Sequence, residues 1–141
     1  MKKLIICVVA MLATNLTHAT EIAIGGFSPV AYFTEGAALQ GNADFVVEHK
    51  GNHYQLRNAE EVDLFNAEPD KYAPRYQLCP YSLARGQKMP LDPTNFQIIG
   101  GHLLLFHKSD KGDGLVQFRE SGLTDQQLLD RADKQFTLLK F

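Results

Sequence analysis

The sequence predicts a small single-domain α+β fold, with two short antiparallel hairpins, short helices and a C-terminal helix. Three observations carry this. Residues 45–56 and 96–106 are apolar runs broken by glycine turns, the pattern of hairpins. Asn58-Ala59-Glu60-Glu61 and Thr124-Asp125-Gln126-Gln127 are helix starts of capping-box type, each followed by apolar residues at helical spacing. The length of 141 residues suits one domain with its own core.

The first nineteen residues are read apart from that fold. Met1-Lys2-Lys3 is basic, residues 4–13 are uncharged and apolar, and Thr17-His18-Ala19 places small side chains around a cut. This is the pattern of a secretory signal peptide cleaved after Ala19. The apolar run is far short of the ~20 residues of a spanning helix, so no membrane anchor is expected after cleavage. Cys7 has no lipoprotein-like context and leaves with the peptide. The expected product is a periplasmic or secreted chain, residues 20–141, whose only thiol is Cys79. The full chain carries a net charge of −2, and loss of Lys2 and Lys3 makes it more acidic. No basic patch stands out, which argues against nucleic acid as a partner.

The elements follow in order. Gly25-Gly26-Phe27-Ser28-Pro29 reads as a loop leading into a short apolar segment at Val30-Ala31-Tyr32-Phe33. In the first hairpin, a Gly51-Asn52 turn pairs Lys50 with His53 and His49 with Tyr54. That register places Phe45, Val47, His49, Tyr54 and Leu56 on one face, and it sends His49 and His53 to opposite faces. The helix from Asn58 buries Val62, Leu64 and Phe65 and ends before Pro69. Tyr72, Ala73 and Pro74 return as a loop. In the second hairpin, a Gly100-Gly101 turn pairs Ile99 with His102. Phe96, Ile98, Leu103, Leu105 and His107 share one face; the other is half apolar, so both faces are expected to be covered. Residues 108–114 read as a charged loop and 115–120 as a helical turn. The last helix turns Leu128, Leu129, Ala132, Phe136 and Leu139 inward.

Between these elements lies Tyr76-Gln77-Leu78-Cys79-Pro80-Tyr81-Ser82-Leu83-Ala84-Arg85-Gly86. Pro80 suits the first position of a helix and Gly86 its C′ position. Cys79 then stands at a short helix start, where the backbone dipole favours negative charge.

Several segments together resemble one family. They are residues 27–33, Lys50-Gly51 followed by Tyr54, Ala59-Glu60 with Asp63-Leu64-Phe65, residues 68–74, Cys79 with Tyr81, Ala84 and Gly86, and Asp92-Pro93 leading into the second hairpin. In order and spacing, residues 26–106 resemble the YHS domain family in its exported bacterial form. The remainder is then a C-terminal helical extension. The resemblance implies a small α+β fold and a role in metal handling. Metal-transporting relatives carry cysteines where this chain has Ala31, Leu56 and Glu60.

Three functional readings follow. In the first, Cys79 binds a soft metal ion such as copper, zinc or a heavy metal, with His107 and His49 as imidazole ligands and Met89 as a thioether. In the second, Cys79 packs in the core and the domain binds a small ligand or a partner peptide, with Tyr76 and Tyr81, alongside Tyr32 and Tyr72, as the contacting rings. In the third, Cys79 is a reactive thiol. No catalytic constellation is visible, and no resolving cysteine accompanies Cys79, so an enzyme is not expected.

Overall fold

A computed structural model describes residues 20–139; the expected signal peptide, residues 1–19, lies outside them. The fold is α+β, as the sequence predicts, with three two-stranded antiparallel sheets among the described residues. A 3-10 turn, Ala23–Gly26, leads into α1, Ala31–Thr34. Strands β1, Val46–His49, and β2, Asn52–Gln55, form the first hairpin. Helices α2, Ala59–Ala67, α3, Pro69–Tyr72, and α4, Pro80–Ala84, follow. Strands β3, Phe96–Ile99, and β4, His102–Leu105, form the second hairpin. A short ladder joins β5, Lys108–Ser109, to β6, Gly112–Asp113, ahead of α5, Gly114–Glu120, and α6, Asp125–Leu138.

The second hairpin has the expected register, with Ile99 opposite His102 and Phe96 opposite Leu105. The first is shifted. His49 pairs with Asn52 and Val47 with Tyr54, so the two-residue loop is Lys50-Gly51, not Gly51-Asn52. Each residue's partner changes by two positions, an even shift, so the face assignments survive it: Val47, His49 and Tyr54 still share the inner face, with His53 on the other. The physical reason lies in the turn. A hairpin loop with positive φ at both central residues matches the twist of its strands. Lys50 and Gly51 have φ of 50° and 80°, and Gly100 and Gly101 have 58° and 78°.

Asn58 caps α2 by accepting the Glu61 N–H at 2.9 Å. The Glu61 carboxylate does not return to the cap residue. It accepts instead from the Arg57 N–H at 2.8 Å, from Arg57 Nε at 2.6 Å and from the Ser28 hydroxyl at 2.6 Å. Both Ser28 and Glu61 are buried. The residue that shapes the start of α2 thus also anchors the loop before α1. Pro69 ends α2 as expected, but it then occupies the first turn of α3, so Tyr72 closes a short helix instead of lying in a loop. In α6 the full capping box forms between Thr124 and Gln127. Leu128, Leu129 and Ala132 are buried, whereas Leu139 is 42% exposed and lies beyond the inward stripe.

The core forms two apolar clusters, and the second hairpin separates them. Leu103 and Leu105 face the first cluster, with Val30, Tyr32, Tyr54, Leu56 and Phe65. Ile99, Leu104 and Phe106 face the second, with Cys79, Leu83, Phe118, Leu128 and Ala132. Alternation along a strand sends neighbouring side chains to opposite faces, and here both faces are covered.

Candidate functional site

Cys79 is the N-cap residue of α4, with Pro80 in the first turn, as the local sequence predicts. Its N–H donates to the Met89 carbonyl at 2.9 Å. Its side chain is 0% exposed within the second cluster. A Cβ added at Gly114 would lie 2.9 Å from the sulfur, so glycine at the start of α5 permits this close approach. The thiol is a packed core group.

The imidazoles expected beside it are engaged elsewhere. His107 places Nδ1 3.0 Å from the Pro90 carbonyl and Nε2 2.9 Å from the Ser109 hydroxyl. Its backbone N and O lie 3.4 Å from where a Cβ at Gly114 would sit. His49 lies on the inner face of the first hairpin, with Nε2 2.9 Å from Asp70 Oδ1 and its ring edge-on to Phe65. Met89 contacts the second cluster. Among the described residues, no group of three or more His, Cys, Asp or Glu side chains is placed to hold a metal ion. Cys79, His107 and His49 therefore do not fit a coordination set.

The four tyrosines divide between the clusters. Tyr32 and Tyr72 belong to the first, Tyr76 to the second, and Tyr81 packs against the edge of the second. Tyr81 lies tilted on Phe118 and carries the Arg85 guanidinium 5.6 Å from its ring centre. The Tyr76 ring meets Phe136 edge-on, and its hydroxyl donates to Asp133 Oδ1 at 2.5 Å.

Asp133 leads to the open polar site of the molecule. Arg75 grips it with Nε at 3.1 Å and Nη2 at 2.7 Å, tying the segment before α4 to α6. The remaining Arg75 nitrogen, Nη1, lies 3.0 Å from His102 Nε2 and 3.4 Å from Nδ1. A donor that close to both ring nitrogens must sit over the ring face, since an in-plane position would collide with Cε1. Nη1 of Arg75 therefore sits over the His102 ring. Burial, reinforced by the Arg75 charge, lowers the His102 pKa against the opposing pull of Asp133 and favours a neutral ring. Arg75 hydrogen bonding holds Asp133 below the ordinary carboxylate range despite its partial burial, with the Tyr76 hydroxyl adding to the effect.

Arg75 and His102 line a cleft of about 430 Å³ between the first hairpin and α6. Tyr54 and Gln77 border it, and the Gln77 amide donates to the Tyr54 hydroxyl at 2.9 Å. Ala73, Pro74 and Phe136 give it an apolar wall. Lys50 and Asp70 stand at the solvent side, 2.7 Å apart. The volume falls in the range of small-molecule pockets, and a few convergent polar groups beside an apolar wall are their usual composition.

Hairpin alternation puts His49 and Tyr54 on one face, the face that borders this cleft. Arg75, His102 and Asp133 carry no such signal. Their partners are 27 and 58 residues apart along the chain, and no local motif announces them. Among the described residues no helix is long and apolar enough to cross a membrane. No protein-family model, curated protein or solved structure matches the chain.

Proposed function

We propose that this chain is an exported, non-catalytic binding domain of YHS-like type, and that its ligand site is the cleft bounded by Tyr54, Arg75 and His102. The observation that carries the reading is the convergence there of polar groups from the first hairpin, the segment before α4 and β4 upon one concave surface with an apolar wall. The export signal and the ordered family motifs are the sequence support for the compartment and the domain type. Coordination of copper or zinc through Cys79 is the weaker reading, because the sulfur is buried among hydrocarbon and its expected imidazole partners bond elsewhere.

An amide-resolved NMR titration against a mixed fragment library tests the choice. The proposal expects shifts confined to residues 49–54, 73–77 and 102. Shifts centred on residues 79–84 and 107 on adding copper(I) or zinc, with none in the cleft, would overturn it.

A further inference from the structure

Among the described residues, the Tyr54 hydroxyl is a donor without an acceptor. The residue is 1% exposed. Its oxygen accepts from the Gln77 amide, and the hydroxyl proton has no acceptor among the described residues. A buried hydroxyl proton left unused is costly, and in native folds it ordinarily has a partner. Burial raises the Tyr54 pKa, the Gln77 bond only partly opposing this, so the group keeps that proton near neutrality. Tyr54 is one of the residues that line the cleft.

His102 adds to the same inventory. Arg75 Nη1, which can only donate, is the partner of its ring nitrogens, so the N–H of a neutral imidazole has no protein acceptor among the described residues. Arg75 itself has five N–H groups, and Asp133, Tyr76 and His102 do not occupy all of them. The one carboxylate on the lining, Asp70, is 74% exposed and already holds Lys50 and His49. The protected part of the cleft is therefore rich in donors, and its acidic group lies at the solvent side, already paired.

We propose that the cleft takes a small organic carboxylate, whose oxygens accept from Tyr54, His102 and Arg75 and whose apolar body lies against Ala73, Pro74 and Phe136. This rests on the cleft being the ligand site and adds the chemical class. Lys50, on the rim, draws the anion in without being needed to hold it, since an exposed ammonium contributes little once screened.

The test uses matched probes on the purified protein, followed by amide NMR: phenylacetate, benzyl alcohol, benzylamine and inorganic phosphate. The expected result is saturable shifts at Tyr54, Gln77 and His102 with phenylacetate, at least tenfold weaker binding of the other three, and about tenfold loss of phenylacetate affinity in Tyr54→Phe, the scale of one hydrogen bond to a charged group. Should Tyr54→Phe not fold, His102→Asn carries the same comparison. Benzyl alcohol, benzylamine or phosphate binding in the cleft as well as phenylacetate would overturn the carboxylate assignment and leave the cleft reading standing. Unchanged affinity in the folded variant would do the same. No cleft shift with any probe, nor with the fragment library, would overturn both.

Discussion

The Tyr76 hydroxyl donates to the Asp133 carboxylate at 2.5 Å, across 57 residues of sequence. Arg75 grips the same carboxylate with two nitrogens. Consecutive residues of one loop thereby fix one point on α6, and one of them, Arg75, also lines the cleft. The proposed ligand site and the attachment of the last helix share one side chain, Arg75.

The shared carboxylate gives stability an acid limit. Asp133 is held below its ordinary pKa, chiefly by the Arg75 hydrogen bonds, so the unfolded chain binds its proton more readily than the native one. The pair's contribution is complete above the unfolded value of about 4 and is lost as pH falls through the lower native value. Because both groups are partly exposed, solvent screening limits the effect, and Asp133→Ala is expected to cost about 1–2 kcal/mol at neutral pH. Urea denaturation at pH 7 and pH 3 checks this: the variant's deficit should shrink at the lower pH. A deficit independent of pH would assign the loss to packing instead.

A second carboxylate with a lowered pKa, Glu61, is more deeply buried. Burial disfavours the charge on Glu61, yet donors from Ser28 and Arg57 together leave its pKa lowered. Ser28→Ala removes one of these donors from a charge that is nearly inaccessible. The expected cost is about 1–3 kcal/mol, read as a lower urea midpoint at unchanged slope. Because Ser28 is the link to the loop before α1, amide exchange in residues 26–33 should accelerate more than in α6.

Much of the architecture was legible in the sequence, for local reasons. The Gly100-Gly101 turn, the Asn58 and Thr124 caps and the proline at the start of α4 are short-range signals, and each forms as expected. The Lys50-Gly51 loop was displaced because Asn after Gly is itself a turn signal, while the choice of a non-glycine residue at positive φ is visible only once the ladder is paired. The cleft was legible in part. Hairpin alternation gives the facing of Tyr54, but the meeting of Arg75 with His102 and Asp133 is a product of tertiary packing. Cys79 drew attention as a lone thiol at a helix start; what seals it is Gly114, thirty-five residues on, and no pattern near Cys79 encodes that contact.

That contact yields a sign reversal. Alanine is ordinarily better than glycine in a helix, by up to about 1 kcal/mol. At position 114 its Cβ would press on the Cys79 sulfur and tighten against the His107 backbone. Gly114→Ala is therefore expected to destabilise by about 1–2 kcal/mol, in the range of overpacked cores. In a Cys79→Ala background the same change should be neutral or nearly so. The double-mutant cycle measures the coupling directly. Additive effects would mean that the sulfur and Gly114 do not press on each other.

The claim on which the rest turns is that Cys79 belongs to the core while ligand binding belongs to the cleft. Alkylation of the thiol in the native protein, followed across a urea gradient with and without a chelator, tests it most directly. The account predicts slow labelling that rises only with global unfolding and ignores the chelator. Rapid labelling in native buffer, or labelling released by the chelator alone, would contradict it.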